Sequence, residues 1–129
     1  MKPEDIKEIT RLLYQNGWAE RNAGNFSIQL SDEECNSIES LYHLKTDLSD
    51  TEAGFINGLN LFPIDHLNLY ISVSGSRFRN MGSELISNTG ILQINTQDHS
   101  VFWLHSDEKS LPSSEWRSHV RIHIQSIHQ

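Results

Sequence analysis

Two apolar runs, Ile91-Leu92-Gln93-Ile94 and Val101-Phe102-Trp103-Leu104, stand on either side of the polar stretch Thr96-Gln97-Asp98-His99. Runs this short, rich in β-branched and aromatic side chains and divided by a turn, read as paired antiparallel strands. The chain is thereby committed to a sheet. Two further segments extend it. Phe26, Ile28 and Leu30 alternate with Ser27 and Gln29, and Leu69, Ile71 and Val73 alternate again. Each is the pattern of a strand with one buried face.

Helical patterns frame these strands. Residues 3–16 open with Pro3, Glu4 and Asp5, which suit a first helical turn, and carry Ile6, Ile9, Leu12 and Leu13 on one face before the stop at Gly17. Ser31-Asp32-Glu33-Glu34 resembles a capping box opening a short helix through Leu41. Pro112 and Ser113 begin a last helix with the stripe Trp116, Val120, Ile124 and Ile127. From about Ser40 to Asn60 the chain is polar, acidic and poorly periodic. A loop with small elements and a disordered insertion both fit that stretch. The order helix, strand, irregular region, strand, hairpin, helix predicts a sheet covered by helices.

A chain of 129 residues fits one domain, and neither a linker nor a repeat divides residues 1–129. Its hydrophobic fraction of 36% is low enough that surface meant for a partner, or for further sequence, is expected. Seventeen acids against ten bases give a formal charge of -7, which argues against nucleic-acid binding. A phosphorylated small molecule stays compatible, since backbone N–H groups and one or two arginines can hold it. Cys35 is the only cysteine, so no internal disulfide or thiolate zinc knuckle can form. Its acidic neighbours Asp32, Glu33 and Glu34 would raise the thiol pKa, against a nucleophilic role. No stretch suits a signal core or a membrane span, and the cytoplasm is the expected compartment.

Three segments carry chemistry suited to an oxyanion. Asn22-Ala23-Gly24-Asn25 places a glycine, which allows close backbone approach, between two amides. Ser74-Gly75-Ser76 follows a strand, with Arg77 and Arg79 nearby to supply positive charge. Ser113-Ser114-Glu115 lies at a predicted helix start, where N–H groups attract phosphate and a partly buried carboxylate could act as a general base. Taken singly, each has an ordinary structural role as well: a turn, a strand end, a helix cap.

In order, however, the runs Gly17-Trp18-Ala19-Glu20-Arg21-Asn22-Ala23-Gly24-Asn25, Ser74-Gly75-Ser76-Arg77-Phe78-Arg79-Asn80 and Leu111-Pro112-Ser113-Ser114-Glu115 resemble the class II aldolase/adducin family. Within it the likeness is greatest to the rhamnulose-1-phosphate aldolase branch. It runs from the first helix to about His119, with a poor match between Leu30 and Leu67.

The resemblance implies an α/β fold of α+β type, a three-layer sandwich with a central, mostly antiparallel sheet between helices. It also implies retro-aldol cleavage of a ketose 1-phosphate to dihydroxyacetone phosphate and lactaldehyde. The residues matching the family's phosphate grip are Asn22, Gly24, Asn25, Ser74, Gly75, Ser113 and Ser114. Glu115 matches the acid that handles the proton at the enediolate carbon. A zinc ion polarises the ketone in the family, and the assembly is a homo-oligomer, a tetramer with active sites at subunit boundaries.

One part of the pattern is missing. The family takes zinc ligands from a His-x-His pair after this last helix and from a later histidine, whereas no His-x-His occurs among the seven histidines here. The chain reads as the N-terminal portion of such a fold, and activity is expected only of a longer relative. The alternative is a metal-free module that binds sugar phosphates or partners without catalysis. Glu115, His119 and His123 share a helix face at i, i+4 and i+8, but consecutive turns of one helix rarely enclose a metal, and a partly exposed polar stripe is the expectation.

Overall fold

Five strands hydrogen-bond in the spatial order β1-β3-β4-β5-β2, every neighbouring pair antiparallel. They are β1 (Ser27–Leu30), β2 (Leu44–Asp47), β3 (His66–Ser72), β4 (Thr89–Asn95) and β5 (Ser100–His105). This computed structural model describes Arg11 and residues 27–61, 64–73 and 84–127. The predicted first helix, apart from Arg11, which is helical, lies outside the described residues.

Side chains alternate across a pleated sheet, and here both faces are buried. On one face Leu67, Leu69 and Ile71 of β3 meet Leu92, Ile94, Val101 and Trp103 of the hairpin. Over them lie Ile56 of helix α2 (Ala53–Asn57) and Trp116 and Val120 of helix α4 (Trp116–Ile127). On the other face Ile28, Leu30, Tyr70, Ile91 and Leu104 pack beneath Cys35 and Ile38 of helix α1 (Asp32–Ile38) and beneath Tyr42. Helices on both sides of one sheet make the three-layer α+β arrangement that the sequence resemblance implies. A four-residue helix, α3 (Glu84–Ser87), precedes β4.

Local chemistry explains the start of α1. Ser31 accepts the Glu34 N–H and the Glu34 carboxylate accepts the Ser31 N–H, completing the predicted capping box. The helix ends at Ile38, and Glu39–Leu41 continue it as a single 3-10 turn. Gly90 sits where a Cβ would lie 2.4 Å from a Trp103 ring carbon and 2.5 Å from the Leu104 carbonyl. The glycine is needed for that close approach. Three buried hydroxyls pair with one another: those of Tyr42, Tyr70 and Thr89 form a triangle with sides of 2.7, 2.7 and 2.9 Å. Burial pushes the Tyr70 phenol up to about 12.

Two expectations shift. The stretch from Ser40 to Asn60 contains strand β2, which pairs with β5, and helix α2, so an ordered path replaces the disordered alternative. The last helix begins at Trp116 rather than at Pro112 or Ser113, because Pro112 forms an isolated antiparallel bridge with Val73. Proline lacks the N–H that a helix interior or a central strand needs, and a single bridge tolerates it.

Candidate functional site

The described flanks of all three predicted segments meet at one end of the sheet. Strand β1 starts at Ser27, two residues after Asn25, and Ser27 pairs with Ile71 near the end of β3. Beyond β3, Val73 immediately precedes Ser74 and bridges Pro112. Next to that bridge the Ser113 N–H donates to the Ser72 carbonyl at 2.9 Å. Asn22, Gly24, Asn25, Ser74 and Gly75, with Arg77 and Arg79, lie outside the described residues. Ser113, Ser114 and Glu115 lie within them.

The head of α4 differs from the simple picture of a helix end with free donors. The Ser113 N–H is taken by Ser72, the Trp116 N–H donates to the Ser113 carbonyl at 2.9 Å, and the Glu115 N–H approaches Ser113 Oγ at 3.4 Å. Ser113 is buried at 6% exposure, while Ser114 and Glu115 are exposed. A ligand here would therefore meet chiefly the Ser114 side chain and backbone. Glu115 sits one residue before the regular helix and is exposed.

Helix α4 is held from both sides. Its apolar stripe runs Trp116, Val120, Ile124, Ile127 as predicted, with Phe55 edge-on to Trp116 at a centroid distance of 5.3 Å. On its polar flank Arg117 Nε and Nη2 donate to the two carboxylate oxygens of Glu52, both at 2.7 Å. Two-point pairing fixes rotation as well as distance.

The helix histidines have a partner that spacing did not reveal. Ser27 Oγ lies 2.6 Å from His119 Nδ1 and 3.0 Å from His123 Nε2. Burial lowers the pKa of both rings; Glu115 partly offsets this at His119, and His119 lowers His123 further. Among the described residues no three histidine, cysteine or acidic side chains converge as a metal site. The described donor set therefore does not fit a zinc ion.

The other titratable candidates serve structure. His105 is buried, bonded to Thr46 Oγ1 at 2.8 Å and to the Asp107 carbonyl at 2.8 Å, and stacked on Trp103. Cys35 is buried and its thiol pKa is raised, first by that burial, while a hydrogen bond from Gln93 lowers it and Glu39 and Asp32 raise it further. A groove of about 260 Å³ lined by Lys45, His66, Asn68, Gln93, Asn95 and Phe102 opens near the start of β3, the end opposite the three segments. Among the described residues no helix is long and apolar enough to cross a membrane.

Comparison with known proteins identifies the family. The family model described as Class II Aldolase and Adducin N-terminal domain matches residues 4–128. A rhamnulose-1-phosphate aldolase of Listeria welshimeri is 30% identical over 129 residues, covering 98% of this chain and 43% of the relative. Those of Enterococcus faecalis and Bacteroides thetaiotaomicron are 30% and 26% identical, with 94% and 92% of this chain covered and 41% of each relative. The chain thus spans less than half the length of these relatives. A solved sugar-phosphate aldolase from Thermotoga maritima aligns over 95% of this chain and 47% of its own, at 26% identity and a TM-score of 0.49.

Proposed function

The chain belongs to the class II aldolase/adducin family, and from that premise we propose that it supplies the phosphate-gripping part of an aldolase site for a ketose 1-phosphate. The observation that carries the reading is the meeting of the β1 start, the β3 end and the head of α4, joined by the Val73–Pro112 bridge and the Ser113–Ser72 hydrogen bond. In sequence, Asn25 stands two residues before Ser27 and Ser74 directly follows Val73.

Each group has a chemical task. Asn22, Gly24, Asn25, Ser74 and Gly75 would surround the phosphate with amide and backbone donors, and Ser114 would close it from the α4 side. Ser113, whose own N–H is occupied, would hold that side to the sheet. Glu115, next to Ser114 in sequence, would take or return the proton at the carbon that becomes the enediolate. The rhamnulose-1-phosphate aldolase relatives favour a rhamnulose 1-phosphate type of substrate, cleaved to dihydroxyacetone phosphate and an aldehyde.

A zinc ion supplies Lewis-acid stabilisation of the enediolate in the family, and the described residues present no ligand set for it. No step is therefore assigned through the metal, and this chain by itself is expected not to turn over substrate. Assay with rhamnulose 1-phosphate and added zinc tests that point. Zinc-dependent cleavage abolished by Glu115→Gln would show that the metal ligands are within this chain after all.

A homo-oligomer is the proposed assembly. The described surface exposes two large apolar side chains, Leu111 at 58% and Ile122 at 61%, too few to make an interface by themselves. Light scattering that returns a clean monomer would contradict the assembly.

A further inference from the structure

Ser27 joins two parts of the molecule that lie 92 and 96 positions apart in sequence. It opens β1, just after the first proposed phosphate segment, and its partner Ile71 puts its side chain on the face covered by α4. There Oγ meets His119 and His123, the residues one and two turns beyond Glu115.

The hydrogen-bond count is restrictive. Burial favours neutral rings, and a neutral imidazole has one N–H and one bare nitrogen. A hydroxyl donates one hydrogen and accepts others. Oγ has a single hydrogen to give and can donate to only one of the two nitrogens, so at least one ring must turn an N–H toward it, which couples the tautomers of the two histidines through Ser27. Two ring nitrogens converging on one point also suit a metal, but no third histidine, cysteine or acidic ligand joins them among the described residues.

We infer that Ser27, His119 and His123 form a positioning clamp that ties the start of β1, the strand that follows the first proposed phosphate segment in sequence, to helix α4, whose head carries Ser114 and Glu115. This rests on the proposed function above for its purpose, though the clamp itself rests on the Ser27 contacts. Without the clamp, β1 keeps its ladder to β3 but loses its tie to the helix. The two halves of an anion grip need sub-ångström mutual placement to act on one ligand.

The test compares wild type, Ser27→Ala and Ser27→Thr in the full chain. Inorganic phosphate is titrated while the histidine ring nitrogens are followed by NMR. Wild type should show at least one of His119 Nδ1 and His123 Nε2 protonated toward Oγ, and never both bare. Ser27→Ala should uncouple the tautomers and weaken phosphate binding about fivefold, while Ser27→Thr, which keeps the hydroxyl, restores both. An Ala variant with wild-type phosphate affinity overturns the clamp, as do unaltered ring signals.

Hydrogen exchange over residues 22–30 and 113–116 separates this from the broader reading. If wild type binds no phosphate, the proposed function fails. The clamp then stands only if exchange in both stretches speeds up in Ser27→Ala and not in Ser27→Thr, and equal exchange in all three proteins overturns it.

Discussion

The N–H of Ser113 donates to the carbonyl of Ser72 across 2.9 Å, so the last residue of β3 is stitched to the segment that leads into α4. That donor is spent internally, and Ser114 is the exposed member of the pair. Ser114→Ala should therefore weaken phosphate binding while leaving the urea midpoint nearly unchanged, within about 0.5 kcal/mol as for ordinary surface substitutions. Equal phosphate titrations for the two proteins would remove Ser114 from the site.

Gly90 gives the sharpest stability prediction. The methyl of Gly90→Ala would press on the Trp103 indole, which is fully buried, and on the rigid Leu104 backbone. Neither can retreat without moving the central hairpin, so a loss of about 1–3 kcal/mol is expected by chemical denaturation. An unchanged midpoint would mean that the indole has room that the packing does not provide.

The capping box should behave as an independent local unit. Ser31→Ala removes the acceptor for the Glu34 N–H and is expected to cost about 1 kcal/mol. Glu34→Ala leaves that contact in place and should cost less. Denaturation midpoints of the two variants and their double check the order.

Acid should destabilise the protein through the histidine pair. Burial holds the folded pKa of His119 and of His123 below the ordinary value of 6.5. The unfolded chain then binds protons first, so stability present above about pH 6.5 is lost as pH falls through the folded values. His66 acts with the opposite sign. Hydrogen bonds to Asp65 and Asp32 raise its pKa, so its stabilisation is complete below about 6.5 and fades as pH rises through its folded value. With its side chain 42% exposed, that contribution is screened and small. Thermal midpoints across this range should fall in acid for wild type, and more gently for a His119→Gln, His123→Gln double variant. A steeper fall in the double variant would reverse the assignment.

What could be read in advance was local. Ile28 and Leu30 alternate with polar neighbours, the residues of the Ser31 and Glu34 box stand three apart, and the α4 stripe repeats every turn, so each announces itself within a few positions. Strand β2 did not, because Leu44–Asp47 is a polar edge strand whose order comes from pairing with β5. Lys45 over the Phe102 ring, 4.1 Å from its centroid, is part of that pairing and has no sequence signature.

The site divided in the same way. Ser113, Ser114 and Glu115 stood out by motif, yet the start of α4 was placed too early, since only the Val73 bridge shows that Pro112 is outside the helix. The spacing of Glu115, His119 and His123 was visible, but their shared face gained meaning only when Ser27 arrived from the other end of the chain. Cys35 was expected to have a raised pKa from its acidic neighbours, and the direction agrees, with burial as the leading cause.

The central claim is that three separated segments make one phosphate grip. Isothermal titration of dihydroxyacetone phosphate into the wild-type chain and into Asn25→Ala tests it most directly. The account predicts weak, saturable binding by wild type that the Asn25→Ala substitution abolishes. No binding at millimolar ligand, or identical isotherms for the two proteins, would contradict it.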